Sequence, residues 1–162
     1  MTELNPVVND GAAADATAPV LSLQAVYLKD ASFEAPVGPR VDGNWNPQIG
    51  LDLQTETSVV DTDLREVVLQ VTVTAKQGDK TMFVAEVKQA GAFIMQNLGE
   101  EDTKRAVASV APGVLFPYAR AAISMLVSQG GFPQLLLPPV NFDALYENAA
   151  AQQAQAPSPT VN

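Results

Sequence analysis

The sequence predicts an α+β fold, a four-stranded antiparallel sheet with helices packed on one face. Apolar and polar residues alternate along four segments between residues 20 and 91, the period of half-buried strands. The last two segments are separated by a short loop with Gly78-Asp79 at its centre, and strands joined so closely are antiparallel. The chain then changes period. From Val107 to Tyr146 it is almost uncharged, with Arg120 its one basic and Asp143 its one acidic residue, and apolar residues recur at three- and four-residue steps. Strands followed by helices put the helices on one side of an antiparallel sheet.

Taken in order, residues 1–19 are rich in Ala, Asn, Asp and Thr without periodicity, too polar to offset the entropy of ordering them, and are expected to be a disordered tail. Residues 20–148 form a single domain. Its first strand covers residues 20–28, with Leu21, Leu23, Ala25 and Tyr27 on one side and Ser22, Gln24, Val26 and Leu28 on the other. A connection holding Pro36, Gly38, Pro39 and Gly43 then runs to Trp45. Ile49, Leu51 and Leu53 mark one face of a second strand over residues 48–57, and a polar segment turns the chain. In the third strand Val67, Leu69, Val71 and Val73 alternate with Val68, Gln70, Thr72 and Thr74, and nearly every residue is β-branched or apolar. The fourth, after the Gly-Asp loop, points Phe83, Ala85 and Val87 inward and Val84, Glu86 and Lys88 outward.

Glu100, Glu101 and Asp102 open a short helix, since acidic side chains suit the positive end of the helix dipole. A longer helix starts at Pro112, whose missing N–H would lack a partner at a first position anyway, and stops at Gly130-Gly131 with a left-handed cap. Pro117 inside it predicts a bend. Asn141 caps a last helix with Phe142, Leu145 and Tyr146 on its apolar side. Residues 149–162 are low in complexity and expected to be a flexible tail. A membrane span needs about 20 uninterrupted apolar residues. Pro112, Pro117, Arg120, Gly130, Gly131 and Pro133 interrupt each candidate window.

Composition excludes more than it assigns. A chain of 162 residues suffices for one domain with a real core. Nine basic against eighteen acidic residues, a net charge of −9, argue against nucleic acid or anionic lipid as partner and for basic protein surfaces. Without cysteine or histidine there is no disulfide, and zinc or haem sites and Cys–His or Ser–His catalysis lose their usual groups. The N-terminus has neither the basic start nor the apolar run of a secretory signal, so a cytoplasmic location is expected.

Three strings go beyond fold class: YLKDASFEAP at residues 27–36, LFPYAR at 115–120 and FPQLLLPPVNFDALY at 132–146. Together with REVVLQVTVTA at 65–75 they closely resemble the SecB family of bacterial protein-export chaperones, over roughly residues 23–146. The resemblance implies a homotetramer, a dimer of dimers, that works without ATP or cofactor. It implies a holdase that keeps unfolded precursor proteins competent for translocation and passes them to the SecA motor. Its client groove would match Trp45, Phe83, Phe93 and Tyr118, with Phe132, Leu135 and Leu136 as a flexible wall. Its SecA-docking patch would match Asp30, Glu34, Val84 and Glu86. Val84 stands where many relatives carry Leu, and Ala90-Gly91-Ala92 replaces a commoner Gly-Gly pair.

Other readings compete with these. Aromatic residues at strand or helix spacing usually pack in a core; the resemblance moves Trp45 and Tyr118 to the groove and leaves Phe83 open between the two. The helix from Val114 to Val127 has more apolar surface than one sheet face needs, which suits an oligomer interface. A static oligomeric scaffold that binds no client would have the same composition. A hydrolase built on Asp61 and Asp63 would need their pKa values pushed apart, which a polar turn does not do.

Overall fold

The computed structural model describes residues 16–39 and 44–155. Four strands, β1 (Val20–Glu34), β2 (Gln48–Val59), β3 (Leu64–Gln77) and β4 (Lys80–Gln96), form one antiparallel sheet in the order β1-β4-β3-β2. Both β1 and β2 are therefore edges. The connection between them has to pass from one side of the sheet to the other, which explains its length.

The two central strands obey the expected alternation. Register pairs Val71 with Val87 and Val73 with Ala85, so these side chains share a face, and all four are fully buried with Val67 and Leu69. Val84, Glu86 and Lys88 fall on the opposite, uncovered face.

Strand β1 does not alternate evenly. Its register shifts between Leu23 and Ala25 and again between Leu28 and Asp30. Each bulge adds a residue and reverses the parity. Leu21, Leu23, Val26 and Leu28 consequently pair on the helix side with Met95, Phe93, Gly91 and Gln89, while Ala25 and Tyr27 pair with Ala92 and Ala90 on the open side. The strand also continues to Glu34, through residues expected to form the connection. On the open side the Tyr27 hydroxyl donates to the Glu66 carboxylate on β3, and Lys29 Nζ lies 2.5 Å from Glu66 Oε1. The small side chains of Ala90 and Ala92 leave room for this bridge across β4.

The helices depart from expectation at their start. Helix α1 (Glu100–Arg105) passes through a π-turn (Ala106–Val110) straight into α2 (Ala111–Gln129). Pro112 therefore opens no new helix. In the π-turn the Ala111 N–H donates to Ala106 O, five residues back, and the widened turn gives the proline ring space that an α-turn would deny it. The continuous run Glu100–Gln129 is 30 residues and is long and apolar enough to cross a membrane by length and composition, contrary to the expectation of interrupted windows. It serves here as the cover of the sheet: Leu115, Ala119, Ile123 and Val127 are fully buried, and α2 packs on β4, β3 and β1. Gly91 permits the approach, since a Cβ there would lie 2.7 Å from the Phe93 ring and 2.9 Å from Leu115.

The end of α2 is the expected glycine cap. Gly131 has φ +82°, its N–H donates to Ser128 O, and the Phe132 N–H reaches back to Val127 O at 3.2 Å. Asn141 Oδ1 accepts the Ala144 N–H at 3.0 Å and caps α3 (Phe142–Gln155). Helix α3 runs on to Gln155 where a flexible tail was expected from residue 149, because Ala and Gln are good helix formers. At the other end, Asn97 Nδ2 donates to Ala16 O and Ala18 O, tying the residues before β1 to the end of β4. The expected tails over residues 1–15 and 156–162 lie outside the described residues.

Candidate functional site

Where α2 ends, four rings from four parts of the chain meet. Phe132, held by the glycine cap, lies 5.1 Å from Phe83 on β4, 5.6 Å from Trp45 at the end of the crossover, and 6.1 Å from Phe33 on β1. Phe33 stacks on Phe83 at 5.6 Å. Phe83 and Phe132 are buried, Phe33 and Trp45 only partly so, and the cluster thus has a sealed floor and an open rim. Gln77 Nε2 donates to Asn44 O, holding the segment that carries Trp45 against the end of β3.

The open rim continues onto the sheet. Ile49 on edge strand β2 pairs with Ala75, which pairs with Phe83, so Ile49 lies in the same cross-strand row as the cluster floor. Ile49 and Leu51 are 39% and 38% exposed because α2 does not cover that edge. An apolar row therefore runs from the rings along a strand whose outer backbone is unpaired.

The other residues matched to the groove are placed differently. Phe93 lies on the same face of β4 as Phe83 but ten positions along, about 33 Å at 3.3 Å per residue, and is 2% exposed under α2. Tyr118 is on the outer side of α2, 51% exposed and about 18 Å along the axis from Gly130. In the connector Leu135 is partly buried, Leu136 is 60% exposed and Leu137 is buried, while Gln134 Nε2 reaches Ser124 Oγ at 3.4 Å. Phe33 was not among the expected residues. It sits in the first matching string, but beyond residue 28, where the first strand was expected to end.

On the uncovered face, register brings Glu34 beside Val84, Ser32 beside Glu86 and Asp30 beside Lys88. Glu86 Oε2 accepts from Gln70 Nε2 and Thr72 Oγ1, both at 3.0 Å, so its carboxylate leans over β3. Asp52 on β2 pairs with Thr72 and extends the acidic surface to the far edge. Lys29 first, then Tyr27, holds the Glu66 carboxyl below the usual carboxylate range, and Glu66 in turn raises the Tyr27 phenol.

Asp61 and Asp63 stand exposed in the β2–β3 turn with separate partners, the Thr62 N–H and Gln96 Nε2. Neither is desolvated, so they offer no basis for acid–base chemistry. Among the described residues no group of three or more His, Cys, Asp or Glu is arranged to hold a metal.

Residues 14–153 match the family model described as preprotein translocase subunit SecB. The protein-export protein SecB of Pseudomonas fluorescens is 46% identical over 162 residues, covering 99% of each chain. That of Hahella chejuensis is 49% identical over 143 residues, 87% of this chain and 90% of the relative. In fold the chain is similar to a SecB-like chaperone of Mycobacterium tuberculosis solved in complex with a ChAD peptide from an antitoxin. The TM-score is 0.64 at 16% identity, with 74% of this chain and 90% of the other covered. A match over most of the chain to the family model, and identities near one half to its members, show that this protein belongs to the SecB family of protein-export proteins.

Proposed function

We propose that the protein is an ATP-independent cytoplasmic holdase that binds unfolded precursor proteins and delivers them to SecA. The observation that carries this reading is the open aromatic rim at Trp45 and Phe33 leading into the exposed apolar row on β2. A holdase must accept many sequences, so it needs shape-tolerant apolar surface together with backbone that an extended chain can pair with. Trp45, Leu135 and Leu136, with Phe132 beneath Trp45, supply the first and the free edge of β2 supplies the second. Phe83 supports the rings from below. Phe93 reaches a client only if α2 shifts, and Tyr118 contacts it at a separate point.

Assembly as a dimer of dimers is supported by the outer side of α2, where Val114 and Met125 are exposed. The acidic face around Asp30, Glu34, Val84 and Glu86 suits a basic region of SecA, chiefly by speeding encounter. The reading assigns no catalytic residue, needs no cofactor or metal, and involves neither nucleic acid nor membrane insertion. A static scaffold would use the same outer stripe of α2 but leave unfolded chains alone.

The experiment is to dilute a reduced, unfolded polypeptide into buffer with and without the protein, omitting nucleotide, and follow its refolding. A holdase delays refolding in proportion to its concentration. An unchanged rate selects the scaffold.

A further inference from the structure

Arg65 is a charge on the covered side of the sheet. It pairs with Phe93 on β4 and with Val59 on β2, and no register shift separates it from the buried Val67, so its side chain leaves the sheet on the face that the helices cover. A half-buried cation in such a place is ordinarily held by a carboxylate, because desolvating it alone is costly. Arg65 is in no ion pair among the described residues, which join Lys29 to Glu66, Lys104 to Glu100 and Glu101, and Arg105 to Asp143. It lines instead a cleft of about 630 Å³ between the sheet and the helices, together with Thr57 of β2 and with Glu101 and Lys104 of α1. Glu101 and Lys104 satisfy each other at 3.0 Å, and Glu100 adds to Lys104 at 2.9 Å. Among the described residues of the lining, Arg65 is the charge without a counter-charge.

The cleft stands at one end of the free edge of β2. Alternate residues of β2 from Ile49 to Thr57 pair with the buried run from Ala75 to Val67 and so share the covered side, and Val59 continues the series opposite Arg65. Ile49 begins this series beside the aromatic cluster, and Thr57 ends it in the cleft wall. From Ile49 to Thr57 is eight residues and to Val59 ten, about 26 and 33 Å at 3.3 Å per residue. A chain extended along the edge from the aromatic rim therefore brings a side chain to the mouth of the cleft eight to ten residues further on.

We propose that Arg65 is a seat for an acidic side chain of the bound polypeptide: an Asp or Glu carboxylate, eight to ten residues from a large apolar residue held at Trp45, enters the cleft and pairs with the guanidinium. The planar fork of an arginine matches a carboxylate in geometry and stays charged at any pH the protein meets. The seat selects one acidic residue against the field of a chain whose net charge of −9 otherwise favours basic segments. The proposal rests on the holdase reading above and on pairing at β2, and it goes beyond them by naming a residue type and its place in the client.

Unstructured peptides with one aromatic residue and, eight and ten positions from it, Glu, Gln or Lys test the seat. The series is made in both sequence directions, one for each polarity of pairing with β2. Titrated into the assembled protein, the Glu peptide of one direction binds about fivefold more tightly than the Gln peptide, and the Lys peptide binds more weakly than either. Net charge alone would give the opposite order. Arg65→Glu reverses the order, so that the Lys peptide binds best, a result that a misfolded variant cannot give, and Arg65→Gln abolishes the preference. Equal binding of the Glu and Gln peptides in both directions, or a preference for Glu that survives in both variants, overturns the proposal and leaves the holdase reading standing. Failure of every peptide to bind also overturns it, and the holdase reading falls with it if a reduced, unfolded polypeptide refolds at an unchanged rate.

Discussion

The ring of Phe132 packs 5.1 Å from that of Phe83, which joins the residue that caps the long helix to the sheet beneath it. The connector that follows is thereby fixed at its first residue. Both glycines before Phe132 are needed for this: a Cβ at Gly130 would overlap the Phe33 ring, and Gly131 has φ +82°.

Gly130→Ala is expected to destabilise the fold by about 1–3 kcal/mol, since a ring has to leave its position in a packed cluster. Gly131→Ala should cost about 1 kcal/mol or more from backbone strain. Urea midpoints at a fixed protein concentration check both. Equal midpoints for wild type and Gly130→Ala would mean that Phe33 moves freely.

Trp45→Ala and Tyr118→Ala, singly and together, should weaken binding of an unfolded polypeptide while leaving the assembly intact. The two residues lie far apart on the subunit, so their effects should add within about 0.5 kcal/mol. Phe83→Ala differs in kind, because Phe83 is 1% exposed: it should cost about 3–5 kcal/mol of stability. Light scattering and binding titrations distinguish these outcomes. Unchanged affinity of the double variant with intact assembly would remove both residues from the client surface.

Reversing charge on the uncovered face should separate the two partners. Glu34→Lys or Glu86→Lys is expected to slow association with SecA, most strongly at low salt, and to spare client binding. Asp52→Lys, across the same row from Glu86, should act in the same direction. Loss of client and motor binding together would indicate misfolding instead.

The bridge from Tyr27 and Lys29 to Glu66 makes part of the stability depend on pH. The folded protein lowers the Glu66 carboxyl below its ordinary value of 4.5, mainly through the Lys29 hydrogen bond. A depressed carboxyl contributes fully above the unfolded value and loses its contribution as pH falls through the folded one. Glu66→Gln should therefore lower stability by about 0.5–1 kcal/mol at pH 7 and by less at pH 3, which lies below the ordinary value. A deficit of the same size at both values would contradict this assignment.

Much of this architecture was legible before any coordinates. The alternation in β3 and β4 gave their buried face, because both central strands pair without a bulge over residues 84–94. Asn141 and Gly131 announced their caps through chemistry that few other residues provide. Strand β1 was misread because a bulge leaves no mark in an alternating pattern: Gln24 and Lys29 look like any polar positions. Pro112 was misread because a π-turn can carry a proline through a helix that α geometry would end. The aromatic cluster was half visible. Trp45, Phe83 and Phe132 were matched to the groove by the resemblance, but their meeting with Phe33 depends on the crossover between opposite edges, which no local pattern encodes.

Trp45 is the single tryptophan of the chain and sits on the rim of the aromatic cluster, so its emission reports on that site without labelling. Titrating the assembled protein with a reduced, unfolded polypeptide that lacks tryptophan should produce a saturable shift in that emission, with the same midpoint as the delay in refolding. The folded form of the same polypeptide should produce none. A delay in refolding with no change at Trp45 would put the client elsewhere on the molecule, and neither signal at all would contradict the account of what this protein binds.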